Sequence, residues 1–269
     1  MPKIPLSIVI PFVDLPHYVL DLVDTIKTNY DYRIILIDNN SSIDTKNELK
    51  CLLSNDKVIY IENDYNRGVA SSWNQGINYA IEHFDSDYVA VLNNDILLHP
   101  QCLDWMIACS IGGFFPLVTA MDYAKECDFP HQILEKKIPL KSYIVDSPEF
   151  SCFLVNIKML GKLAENENGC EDFPGRFDEL FYPAYFEDND FHLRLKLAKM
   201  RGVKTNQAMY YHYGSRTVRE NPNMGQINSH YYLMNEERYI NKWGGRPGDE
   251  RFGSPFNSKD KKPCQKSIC

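Results

Sequence analysis

Over roughly its first hundred residues the chain alternates short, nearly all-apolar runs with stretches of helical periodicity, and this alternation constrains the fold more than any other feature. A strand buried on both faces has no polar side to show, so it reads as a continuous apolar run. Ser7 to Pro11, Arg33 to Ile37, Val58 to Ile61 and Tyr88 to Leu92 are such runs. Between them Val19, Leu22, Val23 and Ile26, then the patch from Asn47 to Leu53, then Trp73, Ile77, Ala80 and Ile81 fall at helical spacing. Strands separated by helices predict βα units and a mainly parallel sheet sandwiched by helices, a Rossmann-like α/β domain.

Beyond residue 100 the pattern is weaker. It predicts a short helix from Pro100 or Gln101, a strand from Phe150 to Asn156, a helix from Asn189 to Met200 ended by Gly202, a strand from Val203 to Tyr211 and a last helix from Asn228 to Lys242. The acidic, Gly- and Pro-containing stretch Glu165 to Asp178 reads as a mobile surface loop, and the tail after Gly244 is expected to wrap the surface or lack fixed structure. The expected organisation is one large domain over 1–216, in two halves (1–100 and 101–216), followed by a C-terminal helix and tail (217–269).

Composition removes several function classes. A net charge of −7 disfavours a nucleic-acid surface, which needs a basic face. No apolar run approaches the ~20 residues of a membrane helix, so no transmembrane segment is expected, although peripheral membrane association is compatible with the pattern. The eight cysteines contain no CxxC pair. With no secretory leader, reduced thiols and a cytoplasmic location are expected. Cys51, Cys102, Cys109 and Cys152 sit in apolar stretches, where free cysteine behaves as a small hydrophobe.

Each predicted strand ends in a polar cluster: Pro11 and Asp14, then Asp38-Asn39-Asn40-Ser41, then Glu62 to Asn66, then Asn93-Asn94-Asp95. Open α/β sheets bind ligands outside the carboxyl ends of their strands, so these clusters define a crevice of mononucleotide size. Asp95, at its mouth, suits a hard divalent cation bridging phosphates and equally suits a turn. Asn66-Arg67-Gly68, with Asn74 a helical turn or two later, offers backbone donors and an Arg fork to a phosphate or nucleotide. Asp38 suits a base imide, a ribose hydroxyl or an Asx turn. Glu187-Asp188-Asn189-Asp190 places three carboxylates in four residues after bulky aromatics. A helix N-terminus needs only one for capping, and desolvation of another suits a general base. From Asp188 the helix leads away by ~18 Å. The run Val203 to Tyr211 can return that distance at ~3.3 Å per residue, bringing His212 back beside Asp188 as a metal ligand through a neutral ring nitrogen.

The ordered segments IVIP, LIDNNSS, NRGVASSWNQG, VAVLNND, YFEDNDFHLRLKLAKMRG and YYHYGS resemble the family 2 glycosyltransferases, most of all their bacterial rhamnosyltransferase and galactofuranosyltransferase branches, over about residues 6–216. The resemblance implies the GT-A fold and a metal-dependent transfer of a sugar from a UDP- or dTDP-linked donor to a glycan hydroxyl. It places base binding on Asp38, the Asn-x-Gly segment on Asn66 and Gly68, and the DXD-like metal site on Asn93-Asn94-Asp95, with only Asp95 charged. The catalytic pair falls on Glu187 and Asp188, with Asp188 the base, and a second metal ligand on His212. Pro11, Asn40, Arg67, Asn74 and Asn94 complete the expected donor site. The expected cofactor is Mn²⁺ or Mg²⁺, and the expected reaction an inverting displacement beneath a lid formed by Glu167 to Asp178. Tyr182, Tyr185, Phe186 and Trp105 either stack on acceptor sugars or pack the core. A sugar nucleotidyltransferase would carry a Gly-rich basic loop after the first strand, where Pro11-Phe12-Val13-Asp14 stands. A noncatalytic glycan-binding module would not need Asp95, Asp188 and His212 together.

Overall fold

Side chains alternate across each strand, so a strand covered on both faces feeds two cores. In β1 (Leu6–Phe12), Ile8 and Ile10 join the core layer beneath α1 (Pro16–Thr25) and α5 (Cys102–Gly113), while Val9 joins the layer beneath α4 (Val69–Phe84), α6 (Ile157–Asn166) and α7 (Glu187–Leu197). In β2 (Tyr32–Asp38), Ile34 and Leu36 face the first layer and Ile35 and Ile37 the second; Ala90 and Val91 of β4 (Tyr88–Leu92) divide in the same way. The computed structural model that shows this describes residues 5–166, 175–214, 216, 220 and 222–257.

Among the described residues the sheet has nine strands in the order β3 (Val58–Glu62), β2, β1, β4, β8 (Cys152–Asn156), β6 (Leu117–Asp122), β9 (Gly202–His212), β5 (Ile96–Leu98), with β7 (Ile144–Val145) pairing β9. The strands β1 to β4 are mutually parallel. Then β8 runs antiparallel to both β4 and β6. The long β9 is parallel to β6 and antiparallel to β5 and β7. The result is the expected mixed, mainly parallel sheet between helices. A helix, α8 (Pro222–Trp243), follows β9.

Several expectations need correction. The helix α7 begins at Glu187, not Asn189, because acidic residues in a first turn suit the macrodipole although they break the apolar periodicity; it ends at Leu197, and Lys199 is left-handed with φ 58°. The helix α8 starts at Pro222, earlier than Asn228. The patch from Asn47 to Leu53 is two short helices, α2 (Ile43–Glu48) and α3 (Lys50–Leu53), and Cys51 is exposed, whereas Cys102 and Cys152 are buried. The loop expected between Glu165 and Asp178 is not all surface. Residues 165 and 166 end α6, and 167–174, most of the expected lid, lie outside the described residues. Its end is anchored: Phe177 is buried against Trp73, Phe150, Phe153 and Phe191, and Asp178 pairs with Lys242. Trp105 packs against the core, and Phe186 is buried beside Tyr239 and Trp243. After Gly244 the chain folds back, with Arg251 and Phe252 donating N–H bonds to the Trp243 carbonyl; residues 258–269 lie outside the described residues. Among the described residues no helix is long and apolar enough to cross a membrane.

Candidate active site

Strand order decides where the polar clusters meet. With β2 and β4 flanking β1, the chain ends after Phe12, Asp38 and Leu92 open on one side of the sheet. Antiparallel pairing of β5 with β9 sets Ile96 opposite His212, which carries the His212 ring to the carboxylate of the preceding Asp95. The two are bonded, Nε2 to Oδ1, at 3.2 Å. The second Asp95 oxygen accepts the Arg216 backbone N–H at 3.0 Å, and the Tyr213 N–H is held by the Asp95 carbonyl at 3.0 Å.

A cavity of about 370 Å³ lies there, lined by Pro11, Asn66, Gly68, Asn94, Asp95, Glu187, Asp188 and His212 together with Asn39, Trp73, Tyr185 and further residues of the same segments. The three groups singled out as base and metal ligands thus face one volume. Three of its lining residues hold buried polar atoms with no hydrogen-bond partner: Trp73 Nε1, Asn94 Nδ2 and Glu187 Oε2. Buried polar atoms are almost always satisfied, so three orphans around one cavity point to a polar ligand.

Two backbone features shape the wall beside α7. Tyr185 and Phe186 are consecutive non-glycine residues in the left-handed region, with φ 78° and 74°. Each such residue costs about 1–3 kcal/mol and persists where the surroundings over-determine it, as binding sites do. On the opposite wall Gly68 has φ 81°, and a Cβ there would stand 2.8 Å from the Pro183 carbonyl oxygen. Val69 donates its N–H to that same oxygen at 2.7 Å, tying the start of α4 to the segment before α7.

Four expected donor residues stand elsewhere. Asp38 is fully buried behind the cavity, accepting from the Ser41 N–H at 2.7 Å and from the Tyr60 hydroxyl. Asn40 is exposed with φ 69°. Arg67 lies over the Tyr65 ring at 5.4 Å. Asn74 bridges to Phe177, donating to its carbonyl at 2.8 Å and accepting its N–H at 2.9 Å, which fixes the loop before α7. The reading of the sequence had no role for Asn39, which lines the cavity and is linked to Ser72 and Asn63. Its position beside Asp38 at a strand end was the available signal. Nor had it one for Lys242, whose ammonium is buried between Asp178 and Asp190 at 2.6 Å from each.

Electrostatics separate the acidic groups. Burial and the neighbouring Asp188 charge push the Glu187 carboxyl well above its ordinary range, and burial also raises Asp188. Burial pushes Asp95 up too, but the His212 hydrogen bond and charge bring it below the usual value. The His212 imidazole, which burial alone would lower, is held above its usual value by Asp95. Carboxyls raised in the fold bind protons more tightly than in the unfolded chain, so at Glu187 and Asp188 stability falls as pH rises from the usual carboxylate range through the raised values. Glu187→Gln should therefore raise the melting temperature of the ligand-free protein at neutral pH, by roughly 2–4 °C per kcal/mol of strain relieved. Calorimetry on both proteins checks this; a lower melting temperature in the variant would show Glu187 to be stabilising.

Asp95 supplies a hard carboxylate oxygen and His212 a ring nitrogen, a mixed donor set that fits a divalent cation such as Mn²⁺ better than Mg²⁺, which takes oxygen ligands, with positions left for phosphate and water. Among the described residues no three His, Cys, Asp or Glu side chains cluster to hold a metal alone. A bound diphosphate would have to complete the shell.

The description "Glycosyl transferase family 2" matches residues 7–108. No curated protein matches the sequence at a significant level. The structure is similar to S. aureus TarS 1-349 at 13% identity and TM-score 0.54, over 77% of this chain and 60% of that one. It is similar to the mannosyltransferase PcManGT from Pyrobaculum calidifontis in complex with GDP-Man and Mn²⁺, at 13% identity and TM-score 0.60, over 91% and 66%. GalNAc-T7 with UDP, GalNAc and Mn²⁺ is similar at 13% identity and TM-score 0.62, over 92% of this chain and 49% of that one. The chain thus spans about half to two thirds of the length of these proteins. Identities so low show the fold alone, and that fold is GT-A. Residues 7–108 match the family 2 glycosyltransferases, and the described chain as a whole has the GT-A fold.

Proposed function

We propose that the chain moves a sugar from a UDP- or dTDP-linked donor to a glycan hydroxyl, with inversion, assisted by Mn²⁺ or Mg²⁺. The observation that carries this reading is the meeting of Asp95, His212 and Asp188 on one cavity whose buried polar atoms lack partners. Asp188 takes the proton of the acceptor hydroxyl as its oxygen attacks the anomeric carbon and the bond to the diphosphate breaks. Its burial raises its basicity for that step. Asp95 and His212 hold the cation, which when bound neutralises charge developing on the leaving diphosphate. Gly68 and the start of α4 leave room for the donor beside Asn66. The cavity volume, about 370 Å³, is in the range of small-ligand sites.

Thermal shift with UDP-, dTDP- and GDP-sugars, with and without Mn²⁺, tests the proposal. A uridine or thymidine donor should stabilise the protein only with Mn²⁺, and Asp95→Ala should abolish that stabilisation. No shift with any sugar nucleotide would sink the reading. Because His212 must be neutral to bind a cation and its pKa is raised in the fold, Mn²⁺ affinity should fall as pH drops through a value above the ordinary imidazole one. Titration calorimetry of Mn²⁺ between about pH 8 and 6 reads this directly, and a flat profile would remove His212 from the ligand set.

A further inference from the structure

A second cavity, of about 350 Å³, adjoins the first across the segment that opens α7. Tyr185, Glu187 and Asp188 line both, so the carboxylate assigned as base borders two separate spaces. A base that deprotonates an attacking hydroxyl has to touch the acceptor on one side and face the donor on the other. The remaining wall comes from α8 and the turn after it, through Tyr232, Glu236 and Arg246, outside the segment that matches the family.

The lining chemistry is specific. The Tyr232 and Tyr185 rings lie 5.5 Å apart at 67°, and Tyr232 is 44% exposed, which leaves ring surface for the apolar face of a sugar. Glu236 and Arg246 are paired at 3.2 Å on the rim, with the Arg246 side chain 67% exposed, and together offer acceptors and donors to hydroxyls. Charge is one-sided: Asp188 and Glu236 face the space against a single guanidinium that Glu236 already occupies. An anionic sugar would enter against uncompensated negative charge.

We propose that this cavity is the acceptor subsite and that it selects a neutral saccharide, rejecting uronates and phosphorylated sugars. The inference rests on the reading of the chain as a glycosyltransferase with Asp188 as base. The full chain, with Mn²⁺ and whichever of UDP, dTDP and GDP it binds, would be mixed with the methyl glycosides of glucose, galactose and rhamnose and with methyl glucuronide, and binding read by saturation-transfer NMR. At least one neutral glycoside should bind saturably and the glucuronide should not. In Tyr232→Ala, and separately in Arg246→Ala at the exposed rim, neutral glycoside binding should weaken by about tenfold while nucleotide affinity measured by calorimetry stays at the wild-type value. Binding of the glucuronide as strong as that of a neutral glycoside, neutral binding untouched by both variants, or no glycoside binding beside intact nucleotide binding would each overturn the inference. Absence of nucleotide binding by the unmodified protein would instead overturn the glycosyltransferase reading beneath it.

Discussion

Asp188→Asn should lower kcat by about 10²–10⁴-fold while nucleotide affinity stays unchanged. The amide keeps the shape of the carboxylate and its place in the first turn of α7, so the loss reports the missing proton acceptor, not a collapsed wall. Glu187 is a poor substitute, because its deeper burial and its neighbour's charge favour its protonated form. The same logic fixes the pH profile. As the proposed base Asp188 would work deprotonated, and burial raises its pKa, so kcat/KM should fall on the acid side at a pH above the ordinary aspartate value. Steady-state rates across pH with the donor that thermal shift identifies would show both effects. Transfer near the wild-type rate in the variant would place the base elsewhere.

Lys242→Met should cost roughly 3–5 kcal/mol of folding stability. The ammonium is 3% exposed and contacts Asp178 and Asp190 at 2.6 Å each, while Asp190 also accepts from Arg194 Nε and Trp243 Nε1 at 2.8 Å. Methionine fills the space of the stem but leaves buried carboxylates facing a thioether. Burial pushes the Asp190 carboxyl up, but the charges of Lys242 and Arg194 bring it below its usual value. A depressed carboxyl stabilises the fold above the unfolded pKa and loses that contribution as pH falls through the folded one. In the variant this acid-side loss should shrink, since the cation chiefly responsible is gone. Denaturant titrations at neutral and mildly acidic pH measure both quantities, and a cost under about 1 kcal/mol would mean that the cluster is solvated. The cluster ties α8 to α7 and to the loop before it, which holds the strained Tyr185 and Phe186 beside Asp188.

The parallel half of the sheet was readable because burial on both faces leaves no choice of residue: Val89 and Ala90 serve opposite cores, and both must be apolar. The strands β5, β6 and β7 were not assigned, as two or three residues carry no periodicity in β5 and β7, and the stretch containing β6 showed no clear one. Asp95, Asp188 and His212 could be named from their places at element ends, and length arithmetic brought the histidine back toward the acidic segment. Its observed bonding partner is Asp95, because the β5–β9 ladder sets the register. Asn74 and Lys242 show the limit from the other side. A polar residue at the start of a helix reads as a ligand for nucleotide, and a lysine near the end of one reads as solvated. The partners that bury them, Phe177 for Asn74 and Asp178 and Asp190 for Lys242, lie far away along the chain.

The sequence by itself determined the layers, since hydrophobic periodicity is local and each strand and helix declares which faces it must hide. It also determined which residue types stand at the strand ends and at the opening of α7. Only the tertiary structure decided which of them share a cavity, because that depends on strand order and ladder register, set by pairings between segments remote in the chain. The same packing decided that Lys242 is buried, that Asp38 is buried and accepts from Tyr60 and Ser41, and that Asp188 stands between two spaces rather than beside one.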